Sequence, residues 1–121
     1  MKIVNRREFL LLPPNTVFAK YEPCFFGDIS IKGDSLVSND FWSTDDIGSA
    51  IRCESTEELM ELLDLSERKG ESLKMDFECE GRDGLFEDEQ LFAVWEDDDV
   101  LALIERLKAC VRTPSPPGHR R

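Results

Sequence analysis

A chain of 121 residues, 40% hydrophobic and 34% charged, can bury one hydrophobic core without disulfide or metal staples, and it is too short for a second domain of ordinary size. Its net charge of −11, from 26 acids against 15 bases, disfavours direct binding to nucleic acid or an anionic membrane, because like charges repel; it permits a basic partner. No segment approaches the ~20 apolar residues of a membrane span, and the four scattered cysteines, Cys24, Cys53, Cys79 and Cys110, form no CxxC pair, so the expectation is a soluble cytoplasmic protein with reduced, mostly buried thiols.

Met1–Val4 reads as a short strand. Asn5-Arg6-Arg7-Glu8 resembles a capping box, with Asn5 as N-cap and Glu8 reaching back, and opens a short helix over 6–12. The apolar run Phe9–Leu12 is too short for a secretory signal, and Pro13-Pro14 ends the helix because proline has no amide hydrogen to donate. Thr16–Glu22 alternates, with Val17, Ala19 and Tyr21 on one side and Phe18 and Lys20 on the other, as a strand does. Pro23 ends it. Phe26–Lys32 predicts the next strand, Gly33-Asp34 a hairpin turn, and Leu36-Val37 and Phe41-Trp42 further short strands before a loop over Ser43–Gly48.

Ser55-Thr56-Glu57-Glu58 is a second capping box. Leu59, Met60, Leu62 and Leu63 follow at helical spacing, Arg68 and Lys69 suit the helix C-terminus, and Gly70 stops it. Leu73–Cys79 has the cleanest period-two pattern, with Leu73, Met75, Phe77 and Cys79 inward and Lys74, Asp76 and Glu78 outward; Gly81–Gly84 then reads as a turn. Leu91–Trp95 predicts a buried strand. A last helix runs from about Asp98 to Arg112, with Val100, Leu103, Ile104, Leu107, Cys110 and Val111 on one apolar stripe. The order is β-α-β-β-β-α-β-β-α. It predicts an α+β fold in one domain over 1–112: a mostly antiparallel sheet of about four to six short strands, two main helices and a short N-terminal one. Residues 113–121 predict a disordered Pro-rich tail, and its PxxP match, Pro114–Pro117, is read as part of that tail.

The charge is unevenly placed. Residues 76–99 hold eleven acids against one base, Arg82, which leaves the rest of the chain near neutrality. Asp97–Asp99 can favour the positive end of the last helix, but that needs one or two carboxylates. Asp76, Glu78 and Glu80 are poor strand residues, and facing like charges destabilise a sheet. Laid on a calcium-loop pattern, Asp76, Gly81 and Glu87 agree in position, but Glu78 and Glu80 crowd a tight loop, and the preceding residues alternate like a strand rather than a helix. His119, the only histidine, falls in the tail, which disfavours histidine-based catalysis or zinc binding. No phosphate-cradling glycine motif occurs. Paired carboxylates such as Glu78 with Glu87 allow acid–base chemistry only if a pocket shifts their pKa.

Two aromatic clusters stand out. Tyr21, Phe25 and Phe26 beside a turn read as core in preference to an exposed anchor. Phe41-Trp42 followed by Asp45-Asp46 has the composition of a binding hot spot with a charged rim, beside a core reading that is preferred for the two aromatics alone.

LPPNTVFAKYEP, FGDISIKGDS and GLFEDEQLFAVWE resemble segments of small acidic proteins of bacteriophages and prophages, a likeness spanning about residues 3–108. That resemblance carries no activity and no functional residue. What it implies is context, an accessory inhibitor of host machinery of the anti-defence type.

The leading expectation is a non-enzymatic binding protein without metal or cofactor. Its partner-binding residues would be Asp76, Glu78, Glu80, Asp83, Glu87, Asp88, Glu89, Phe41, Trp42, Asp45 and Asp46, docking on a basic, nucleic-acid-binding or other, surface of a partner. The alternatives are an immunity protein neutralising a toxin, a small carboxylate-dependent or metal-assisted hydrolase, and an assembly protein that self-associates.

Overall fold

The computed structural model describes residues 1–78 and 80–112; Cys79, the Pro-rich tail and His119 lie outside the described residues. The chain forms β1 (Lys2–Asn5), α1 (Arg6–Leu10), β2 (Thr16–Glu22), β3 (Phe25–Leu36), β4 (Asp40–Thr44), a turn of 3-10 helix (Ile47–Ser49), α2 (Thr56–Lys69), β5 (Glu80–Arg82), β6 (Leu91–Val94) and α3 (Asp97–Lys108). Every pairing is antiparallel, in the order β1-β6-β2-β3-β4-β5. This is the α+β order read from the sequence.

The first helix starts where the sequence says. The Asn5 side chain accepts from the Glu8 amide at 2.8 Å, and the Asn5 amide donates to the Glu8 carboxylate at 3.2 Å. Five residues cannot hold a helix by propensity alone; α1 is held by Phe9, which is fully buried on one sheet face. Its ring stacks on Phe92 at 3.9 Å between centroids and meets Phe18 and Phe41 edge-on at 4.8 and 5.0 Å. Val4 and Val94 complete this core. Phe41, expected on the docking surface, is 1% exposed: its position on β4 turns it under α1, so it packs and does not bind.

The buried cation Lys32 enters the same core. Its ammonium donates to the carbonyls of Leu12 and Gly33 at 2.9 and 3.0 Å and lies 5.7 Å from the centre of the Phe9 ring. Burial lowers its pKa, against the opposing pull of Asp34.

Three predicted boundaries move. Gly33-Asp34 is not a turn; β3 runs through it, and the register slips between Lys32 and Ser35. Gly33 is there for close approach, since a Cβ would lie 2.9 Å from the Trp42 Cβ. The chain reverses instead at 37–39, where Asn39 takes φ 61°. The strand predicted over 73–79 is also absent among its described residues, apart from one bridge between Met75 and Ile51. Asp76 turns its carboxylate back to accept from the Glu78 amide at 2.9 Å, the local bond by which Asp competes with a ladder. Met75 and Phe77 are then 44% and 45% exposed instead of inward. The ladder forms one step later, where Glu80, expected to face outward at the end of that strand, and Gly81 and Arg82, expected in a turn, pair with β4.

The two long helices are poorly covered; the Ser55 cap forms without the reciprocal Glu58 bond, and α3 is capped by Glu96 with Asp99 and ends at Lys108, short of the expected Arg112. Ser55 caps α2 by accepting from the Glu58 amide, and Gly70 ends it at φ 68°. No residue of α2 or α3 is fully buried. The thiols depart from expectation too: Cys24 and Cys110 are exposed and Cys53 is half-buried.

Candidate interaction surface

The acidic run is divided by the fold into parts that do different things. Asp83 belongs to the interior. Its side chain is 6% exposed and holds Lys20 at 2.6 Å and Arg6 at 3.6 Å. Arg6 also donates to the side chain and carbonyl of Asn39, at 3.2 and 2.7 Å, and stacks over Phe41. Asn39 in turn donates to Asp88 at 2.8 Å. Asp83 therefore leaves the predicted docking set, because two cations already occupy its oxygens; Asp88 stays exposed but is tethered.

Asp40, which no sequence pattern singled out, anchors the start of the same loop. It is fully buried and accepts from the Phe41 and Gly84 amides, both at 2.9 Å. Burial pushes its carboxyl upward, but the amides of Gly84 and Phe41 and the charges of Arg82 and Arg6 together hold it below its ordinary value.

The remaining acids fall into separate groups. Asp76 is half-buried and self-capped, while Glu78 and Glu80 lie exposed at the β5 edge. Glu87 and Glu89 lie exposed just before β6. From β5 to β6 the chain must cross β4, β3 and β2, about 19 Å at ordinary strand spacing. Glu96–Asp99 sit at the opposite end of β6, where the Met1 amino group is hydrogen-bonded to Glu96 and Asp99. Asp99 is held below its ordinary value by that amino group and by the Glu96 amide. The acids of 76–99 therefore lie in several groups, at the β5 edge, before β6 and after β6, instead of on one strand face.

One of these groups meets exposed aromatics. Pro23 and Cys24 turn the β2–β3 hairpin, with Cys24 at φ 66° and its amide donating to the Tyr21 hydroxyl at 3.1 Å. This turn lifts Phe25 and Phe26 out of the core, leaving them 65% and 54% exposed. Phe26 rests edge-on against Tyr21 at 5.1 Å. Glu87, Glu89 and Glu22 border the same hairpin and line a small hollow of about 210 Å³ with Tyr21, Pro23 and Gln90. Gln90 fixes the loop there by donating to the Tyr21 carbonyl at 3.0 Å. Among the described residues, no ion pair joins Glu22, Glu87 or Glu89 to a base. Sequence reasoning assigned Phe25 and Phe26 to the core. The signal that could have exposed them was Pro23-Cys24 forming a two-residue turn, which puts both rings at a hairpin tip.

The other nominated residues lie elsewhere. Trp42 is half-buried beside Arg82, and Asp45 is exposed. Asp46 accepts from the Ser49 amide and hydroxyl at the short 3-10 turn. An open cleft of about 460 Å³ runs between Lys20, Asp28, Asp45 and Arg82, over Phe18 and Phe41. Among the described residues, no three His, Cys, Asp or Glu side chains come close enough to hold a metal ion, and no helix is long and apolar enough to cross a membrane. No protein-family model, curated protein or solved structure significantly matches this chain.

Proposed function

We propose that this chain is a non-catalytic binding module that docks the tip of its β2–β3 hairpin on a basic surface of a partner protein. Phe25 and Phe26 are the anchors, filling an apolar pocket there, and Glu22, Glu87 and Glu89 form the charged rim. The observation that carries this reading is a hairpin tip with two more than half-exposed phenylalanines, next to a hollow lined by three carboxylates that meet no base among the described residues. Exposed aromatics of this size supply the desolvated centre of an interface, and the rim carboxylates raise the encounter rate with a cationic partner. Glu78 and Glu80, on the β5 edge, add to the field from the side.

A carboxylate-dependent hydrolase would hold a carboxylate of raised pKa inside a cleft; the binding reading rests instead on the exposed hairpin tip. A phage accessory inhibitor covering the nucleic-acid groove of a host protein fits this chemistry, and an immunity protein capping a basic toxin site uses the same surface.

The test is a capture experiment from host lysate at low salt, with the retained partner identified in each lane. Phe25→Ala with Phe26→Ala loses the partner that wild type retains. Glu22→Gln with Glu87→Gln and Glu89→Gln weakens retention and flattens its dependence on salt, whereas Glu78→Gln with Glu80→Gln changes it less. A partner held equally well by the double phenylalanine variant would refute the hairpin-tip interface.

A further inference from the structure

β5 ends one side of the sheet, and its outer edge is open. Glu80, Gly81 and Arg82 pair with Thr44, Ser43 and Trp42 of β4, and among the described residues no strand lies beyond them. The Asp83 amide donates to the Phe41 carbonyl at 2.9 Å. Hydrogen-bonded pairs alternate along an antiparallel ladder, so Gly81 with Ser43 is the next one, and Glu80 and Arg82 turn their amides and carbonyls away from β4. Among the described residues no backbone group takes these up. An edge of this kind is a template for a further strand.

The same three residues state what that strand must carry. An added antiparallel strand sets one residue directly opposite Glu80 and another opposite Arg82, on one face of the sheet, where opposite charges attract and like charges repel. It therefore needs a base against Glu80 and an acid against Arg82. Arg82-Gly81-Glu80, read in reverse, is that sequence. A second copy related by a two-fold axis at Gly81 puts Glu80 of each chain opposite Arg82 of the other, each pair exchanging two backbone hydrogen bonds. The neighbouring registers that keep those bonds set Glu80 against Glu80 or Arg82 against Arg82, so charge selects one register.

Both charges are available. Glu80 is exposed and forms no ion pair among the described residues. The Arg82 side chain is 57% exposed, and its Nε lies 3.9 Å from Asp40 Oδ2, while the other oxygen of Asp40 accepts two amides. The flanks of β5 fit the same axis. Phe77 and Leu85, 45% and 57% exposed, lie equally far beyond the two ends of the strand, so the register that pairs the charges brings Phe77 of one copy toward Leu85 of the other. The opposite edge offers no such match: β1 carries Lys2 and no acid, and its Asn5 amide is committed to the cap of α1.

We infer that β5 is a homodimer edge, at which two copies pair antiparallel about Gly81 into one continuous sheet. The interface uses neither Phe25 nor Phe26, so it stands or falls separately from the hairpin tip.

The test is sedimentation equilibrium of the full chain from micromolar to near-millimolar protein, with circular dichroism on every variant. Wild type passes from monomer to dimer across that range. Glu80→Arg and Arg82→Glu each raise the dissociation constant about ten-fold, because each sets like charges opposite at both pairs, and the two together restore it. Glu80→Pro removes an outward amide and no bond to β4, and leaves a monomer. In concentrated wild type the Glu80 and Arg82 amides gain protection from hydrogen exchange, whereas the Gly81 amide, bonded to β4, depends less on concentration. The charge exchange decides the matter if Glu80→Pro does not fold. A wild type that stays monomeric, which would leave the edge to a strand of another protein, a double exchange no tighter than its singles, or a dimer whose Glu80 and Arg82 amides stay unprotected overturns the inference.

Discussion

The sheet face under α1 and the surface around α3 are built from similar residues and reach opposite ends. Under α1, Phe9, Phe18, Phe41 and Phe92 close into one cluster, and the charges that enter it are paired or hydrogen-bonded. On α3, leucines and an isoleucine at equally good spacing remain in solvent. Amphipathic spacing states that a face will be buried; it does not state that the same chain will bury it. The short helix finds its cover because a single phenylalanine drops between four strands. The long helix is carried off the end of β6, beside the edge strand, and no further layer among the described residues packs on it.

The comparison can be broken most sharply at Phe9. Phe9→Ala empties the centre of the aromatic cluster and lowers the stability seen in urea unfolding by about 3–5 kcal/mol. Leu107→Ala, tested in dilute protein, stays within about 0.5 kcal/mol of wild type, as for other exposed positions. Equal losses at the two sites would mean that α3 is packed after all.

Asp83→Asn is the next largest. It leaves the buried Arg6 and the half-buried Lys20 without their counter-charge, and costs about 3 kcal/mol in the same assay. Glu87→Gln, which breaks no described ion pair, leaves the unfolding midpoint almost unchanged. Gly33→Ala forces β3 away from Trp42 and destabilises by about 1–3 kcal/mol, although the glycine's backbone angles suit alanine.

Acid titration sharpens the contrast by the smallest amount. The folded pKa of Asp40 lies below its ordinary value of 3.8, so its contribution is fully present above 3.8 and is lost as pH falls through the folded value. Stability should therefore fall more steeply below pH 3.8 in wild type than in Asp40→Asn. Equal slopes would show that Asp40 carries no such linkage.

Much of the architecture could be read from the chain because it depends on local chemistry. Asn5 with Glu8, and Ser55 with Gly70, fix helix ends through bonds a few residues long. The alternation in Thr16–Glu22 shows the strand itself, though not which of its faces is buried. The failures are tertiary. Nothing next to Lys32 tells that its ammonium will find the carbonyls of Leu12 and Gly33. Gly33-Asp34 has the composition of a turn, and only the nearness of Trp42 explains a glycine inside a strand. Leu73–Cys79 alternates well, but a ladder also needs a neighbour, and β4 accepts Glu80–Arg82 instead. For the interaction surface, the abundance of acid at Glu87–Glu89 was legible. The use of Asp83 as an internal counter-ion was not, nor was the exchange of roles by which Phe41 packs and Phe25-Phe26 face solvent.

Native-state hydrogen exchange, followed amide by amide, addresses the division between a self-sufficient sheet and an exposed helix most directly. Amides of β2 and β6 should exchange slowly, while those of Val100–Lys108 should be weakly protected. Strong protection along α3 would contradict the account.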